Sequence, residues 1–186
     1  MVETGDEALV SVRAIADRVG CTAPAIYMHF GDKDDLFREV CEIRFKELNQ
    51  LFDEVEAETD DPLGRLRAIG RAYFRFGIEN PEHYRVLMMA KMEHEHGTNE
   101  FAISTEQSEG DRAFMRLVMA VQACIDGGHL IQADPMMMAV TLWSGLHGLV
   151  SLLINAPNFP WPERESLIEF VLDAQLRGLL AERTGT

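Results

Sequence analysis

The chain has 186 residues, 47% of them hydrophobic, so it can bury a sizeable core as one medium domain or as a small domain joined to a larger one. Its 17 Lys and Arg against 31 Asp and Glu leave a net charge of −14, which excludes a bulk positive field and confines any nucleic-acid contact to local groups. The 3 cysteines, Cys21, Cys41 and Cys124, show no metal-like spacing, and the most apolar run, 136–154, is broken by Thr141, Ser144, His147, Gly148 and Ser151. With no secretory signal at the start, a reduced, cytoplasmic setting is expected.

Residues 1–10 read as the last turn of a helix ending near Gly5. The stretch 11–36 carries the sharpest local pattern. Val12, Ile15, Ala16 and Val19 recur at helical spacing behind Ser11, whose hydroxyl suits an N-cap. Gly20 suits a positive-φ helix exit, and Thr22 follows as the cap of a second helix. So short a turn predicts a helix-turn-helix, with Ala25, Ile26 and Phe30 packing on Ile15 and Val19. Thr22, Ala23, Pro24, Met28 and His29 then face outward. Tyr27, His29 and Lys33 offer hydrogen bonds suited to phosphate oxygens, and the second helix is narrow enough for a major groove. Residues 1–57 hold six basic against thirteen acidic side chains, so Arg13, Arg18, Lys33 and helix N-termini must carry the attraction.

Asp32 or its neighbour caps a long helix from about Lys33 to Glu58, with Leu36, Val40, Ile43, Leu48, Leu51 and Val55 on one stripe. Asp61-Pro62 starts the next helix, and the boundary between head and body is placed there, as 1–58 and 59–186. Leu63, Leu66, Ile69, Tyr73 and Phe76 line the helix 63–79, which Asn80-Pro81 interrupts. A short segment over 82–92 follows, rich in adaptable methionines. The polar stretch 93–110 reads as a loop. Its Glu93-His94-Glu95-His96 run has metal-ligand residue types, yet adjacent residues on a loop rarely close a coordination shell, so a solvated loop and no metal are expected.

Phe114, Leu117, Val118, Val121 and Ile125 predict an amphipathic helix ending at Gly127-Gly128. Asp134-Pro135 opens a helix over 136–156 that is apolar on two faces, and 163–182 forms the last helix with Leu167, Phe170, Val171, Ala174, Gly178 and Leu179 inward. No alternating stretch argues for a strand. The fold class is all-α: an N-terminal helix-turn-helix followed by a helical ligand-binding and dimerisation domain. No phosphate loop or nucleophile elbow points to catalysis, and no cofactor is expected; an enzyme on a helical scaffold or a helical dimer without DNA binding are the alternatives.

Val12-Arg13-Ala14-Ile15-Ala16, Gly20-Cys21-Thr22, Ala25-Ile26-Tyr27-Met28-His29-Phe30, Lys33 and Leu36 together resemble the head of a TetR-type transcriptional regulator. Asp61-Pro62-Leu63, Ala72-Tyr73-Phe74-Arg75-Phe76, Asn80-Pro81 and Trp143-Ser144-Gly145-Leu146-His147-Gly148-Leu149 resemble the subgroup whose body carries a Trp, His and Gly signature. The resemblance implies a ligand-responsive repressor of double-stranded DNA acting as a homodimer. Thr22, Ala23, Pro24 and Ala25 would face the groove with Met28 beside them, Tyr27 and His29 would touch the backbone, and Lys33 and Arg13 would hold phosphates. It also implies a full first helix and a basic arm before Gly5. Only the last turn of that helix stands in this sequence, and weak or absent DNA binding by this chain is the expectation.

The resemblance further implies a small-molecule pocket between 63–79, 82–92, 112–126 and 136–154. Tyr73, Phe76, Met88, Met92, Phe114, Val118 and Trp143 would make it largely apolar, with Gln122 and His147 as polar handles. Each of these also suits ordinary core. The dimer would form a four-helix bundle from 136–154 and 163–182, setting two heads on a palindromic operator.

Overall fold

Side-chain caps set the helix boundaries in the computed structural model, which describes residues 11–88 and 108–181. Ser11 accepts from the Ala14 N–H at 3.1 Å and opens α1 (Val12–Val19), and Gly20 leaves it at φ 75°. Thr22 accepts from the Ala25 N–H at 3.3 Å and opens the five-residue α2 (Ala23–Tyr27). Asp32, bonded to the Asp35 N–H at 2.7 Å, opens α3 (Lys33–Glu56), and Asp61 opens α4 (Pro62–Glu79). After α5 (Pro81–Met88), a Ser108–Asp111 capping box starts α6 (Glu109–Asp126), Asp134 starts α7 (Pro135–Asn155) and Glu163 starts α8 (Arg164–Arg177). Each cap satisfies backbone donors that the first turn leaves free.

Two cores result. The head core is Val12, Ala16 and Ile26, with Ile15, Ala23, Phe30 and Leu36 against it. The body core runs through α3 to α8 and includes Leu48 and Phe52 of α3, so one helix is rooted in both. Val19 departs from the expected packing: it is 67% exposed, because the five-residue α2 covers only the stripe of Val12 and Ala16. Val40 and Ile43 are exposed as well, since α3 is covered only where Leu36 meets the head and where Leu48 and Phe52 meet the body.

α3 and α6 are joined by directed polar contacts. Arg116 of α6 donates to Asp53 at 2.7 Å, to Glu56 at 2.8 Å and to the Asn49 carbonyl at 3.0 Å. Asn49 donates to the Glu109 carbonyl and carboxylate, and Glu42 accepts the Glu109 N–H. On the opposite side, Arg67 pairs with Asp173, and Arg71 pairs with Glu169.

α7 is long and apolar enough to cross a membrane by length and composition alone, a test that a buried core helix also passes. Thr141 and Ser144 return their hydroxyls to carbonyls four residues back and so lose their polar character. Met138, Leu142, Leu146, Leu149 and Leu153 are buried in the body core, where α7 packs on α4, α6 and α8. α8 buries Ile168, Leu172 and Leu176, while Phe170 is 72% exposed and Ala174 and Gly178 also face out; the inward stripe lies about a third of a turn from the expected one. The helix also stops at Arg177. Beyond it the Ile131 N–H donates to the Leu179 carbonyl and the Ala181 N–H to the His129 carbonyl, an isolated bridge at Leu130 and Leu180.

Candidate functional site

The head presents a surface built by three short-range choices. Gly20 turns the chain, Thr22 spends its hydroxyl on the α2 cap, and Ile26 anchors α2 from beneath at 9% exposure. On the outer side Met28 is 83% and Tyr27 50% exposed, with Pro24 and His29 also in solvent. A groove of about 500 Å³ between α1 and α2 is lined by Ser11, Val12, Arg13, Ala23, Pro24 and Tyr27, which gathers four of the expected DNA-contacting residues on one face. Ala23 and Ala25 are half-buried, and Ala23 packs on the head core, so it offers the groove only part of its surface.

Lys33 stands in the first turn of α3 between Asp32 and Asp34. Asp32 is engaged as the helix cap, and Asp35 accepts the Gly31 N–H at 3.0 Å and pairs with Arg38 at 3.2 Å. Among the described residues of the helix-turn-helix and the first turn of α3, the three cations Arg13, Arg18 and Lys33 have no acidic partner.

In the body, five polar side chains from three helices form one buried chain. The Trp143 indole donates to the Tyr73 hydroxyl at 3.1 Å, the Tyr73 and Tyr84 hydroxyls are 2.8 Å apart, and Tyr84 lies 2.7 Å from His147 Nδ1. His147 Nε2 is 3.4 Å from Ser151 Oγ. An indole only donates, so the order that satisfies every group runs Trp143 to Tyr73 to Tyr84 to His147 Nδ1. His147 is then neutral, with its proton on Nε2 toward Ser151. Burial pushes the Tyr73 hydroxyl up to about 12, and burial likewise raises Tyr84, so both phenols keep their protons.

Burial also lowers the pKa of His147 from 6.5. A depressed folded value means that this group costs nothing above the unfolded pKa, and that a penalty grows as pH falls from there toward the folded value. Between about pH 7.5 and 5.5 the wild type is therefore expected to lose more stability than His147→Gln in chemical denaturation. Parallel losses would contradict the neutral, buried assignment.

The structure brings Tyr73, Trp143 and His147 together with Phe114, whose ring meets Trp143 edge-on at 5.8 Å. Phe76 and Val118 are buried in the same core and Met88 packs against it. Gln122 is not among them: with Met115, Met119 and Asp126 it forms the exposed stripe of α6, and it donates to Asp126 at 2.8 Å. Met92 and the run Glu93-His94-Glu95-His96 lie outside the described residues. Tyr84, fully buried at the centre of the polar chain, is the residue the sequence reading passed over. Gly77 was the available signal, because a residue without Cβ on a buried stripe leaves room for a large neighbour.

Comparison with known proteins bears on both parts. Residues 66–175 match the family described as tetracyclin repressor-like, C-terminal domain, and residues 8–40 match the bacterial regulatory proteins of the tetR family. The HTH-type transcriptional regulator AcrR of Shigella flexneri is 43% identical over 60 residues, 32% of this chain and 28% of that protein. Among solved structures, a protein of unknown function from Rhodococcus sp. RHA1 shares 21% identity over 96% of this chain and 88% of its own, with a TM-score of 0.74. The TetR family regulator PfmR of Thermus thermophilus shares 20% identity over 90% and 87%, with a TM-score of 0.64. The ketosteroid transcriptional regulator KstR2 of Mycobacterium tuberculosis shares 18% identity over 92% and 85%, with a TM-score of 0.62. These structural likenesses establish the fold.

Proposed function

Because the chain belongs to the TetR family of bacterial regulatory proteins, we propose that it is a ligand-responsive repressor that reads a palindromic operator as a homodimer. The observation that carries the reading is the outer face of α2 and its C-cap, where Pro24, Tyr27 and Met28 stand free while Ile26 and Ala23 pack on the core. Apolar and small side chains there suit contact with base edges and thymine methyl groups, and Arg13, Tyr27, His29 and Lys33 suit the flanking phosphates.

The dimer reading is supported by side chains the protomer leaves uncovered: Met137 at 71%, Leu152 at 57% and Phe170 at 72%, with Val140, Ser144, Ala174 and Gly178 between them. A face of that length on α7 and α8 suits a second copy related by a twofold axis. The effector would be a small, largely apolar molecule taken up among Tyr73, Phe76, Met88, Phe114, Val118, Trp143 and His147, with Trp143 and His147 also supporting the subgroup marked by Trp, His and Gly. The closed core is then one of two states, and an effector that binds the other better shifts the spacing of the heads.

Selection of duplexes from a random-sequence library tests the reading. Low-salt enrichment of a palindrome, lost in Tyr27→Ala and Met28→Ala proteins that melt like the wild type, is expected. Enrichment by those variants equal to that of the wild type would overturn the assignment of α2.

A further inference from the structure

A second cavity lies well away from the buried polar chain, where the end of α3, the first turn of α4 and the outer side of α6 meet. It measures about 220 Å³ and is open on one side. Pro62, Met119, Ala120 and Ala123 form its apolar walls, and Met119 is 67% exposed. Arg65 stands at its polar end. The Arg65 Nη2 donates to the Thr59 carbonyl at 3.1 Å, while its Nε is buried with no hydrogen-bond partner. Its nearest carboxylate is that of Asp60, fully exposed and 3.9 Å away, a pairing that solvent screens.

The other charged groups around the cavity already have partners. Glu56 accepts from Arg116 Nη2 at 2.8 Å and Nε at 3.3 Å, and Arg116 also holds Asp53. Arg65 is thus the one guanidinium on this wall with donor capacity to spare: its Nε is shut off from solvent and from any occupant, while its Nη1 has no hydrogen-bond partner among the described residues. The strongest acceptor for a guanidinium is a carboxylate, which takes two parallel N–H bonds. An apolar cavity of about 150 Å³ suffices for benzene, so this one has room for a small ring or short chain behind the acid group.

We propose that this cavity is a binding site for a small organic carboxylate with a compact apolar body, its acid group on Arg65 and its body against Pro62, Met119 and Ala123. Because Glu56 and Arg116 form the floor, an occupant would rest on the contact that fixes α3 to α6. The site is independent of the effector region assigned above, and its test separates the two.

Calorimetric titration of the full chain with benzoate, benzamide and acetate is the experiment. Benzoate is expected to bind, with benzamide and acetate each weaker by about tenfold or more, since one lacks the charge and the other the apolar body. Arg65→Met is expected to lose benzoate binding while melting as the wild type does, and Ala123→Leu, which fills the cavity without touching a charge, is expected to lose it too. Tyr84→Phe, altered only in the effector region, should leave benzoate affinity unchanged. Equal binding of benzoate and benzamide, no benzoate binding at millimolar concentration, or full affinity in Arg65→Met would overturn the site. Loss of benzoate binding in Tyr84→Phe would instead move the ligand to the body core and equally overturn it.

Discussion

Replacing Tyr84 by alanine is expected to destabilise the protein by about 3–5 kcal/mol, and replacing it by phenylalanine by about 1–3 kcal/mol, both read by denaturant unfolding. The larger figure is a cavity cost: the side chain is fully buried, and its ring packs edge-on to Tyr73 at 5.9 Å and stacks on His147 at 5.7 Å. The smaller figure isolates the hydroxyl, whose removal leaves the Tyr73 hydroxyl and His147 Nδ1 only a long 3.5 Å contact with each other in place of two short hydrogen bonds. A Tyr84→Phe protein as stable as the wild type would show that the polar chain is not continuous. The same variant should raise the pKa of His147, because its Nδ1 would no longer be occupied in the neutral state.

Gly77→Ala is expected to cost about 1–3 kcal/mol, although it only adds a methyl group in a helix where alanine is the better former. A Cβ at this position would sit 2.5 Å from Val150 Cγ1 and 2.9 Å from the Tyr84 ring. Val150 is itself fully buried and β-branched, so it has one favourable rotamer and nowhere to shift. In a double-mutant cycle Val150→Ala should offset part of the Gly77→Ala loss by making room for the new methyl. Strict additivity of the two would place the strain elsewhere. Gly70 makes a comparable close approach, where an added Cβ would meet Leu172 at 2.8 Å. These two glycines let α4 lie close to α5, α7 and α8.

Local chemistry was legible from the residues alone. Ser11, Thr22, Asp61 and Asp134 could be named as caps, and Gly20 as a helix exit, because each acts on backbone groups within a few residues. Periodicity alone fixed less. α8 carries apolar residues on two stripes, and nothing within it says whether Phe170 and Ala174 or Ile168 and Leu172 meet its own core. Only the packing against α4 and α7 decides in favour of the second set. The same ambiguity placed Val19, Val40 and Ile43 inward, where no element among the described residues covers them. Contacts across 60 or more positions, such as Arg116 with Glu56 or Asn49 with Glu109, leave no trace in local pattern. Tyr84 was missed in part for that reason, since His147 lies 63 positions away on α7, while its other partner, Tyr73, comes from the neighbouring α4.

The acidic balance of the head sets how DNA binding should look. Across residues 1–36 the only basic side chains are Arg13, Arg18 and Lys33, so the proposed dimer would bring about six cations to its operator. If α2 and these few cations are the reading surface, the affinity for an enriched duplex must depend only shallowly on salt. Fluorescence anisotropy should give a slope of log K against log salt no steeper than about −5, reduced by about 2 in a Lys33→Ala dimer, one phosphate contact being lost per head. A slope unchanged by Lys33→Ala would contradict the account.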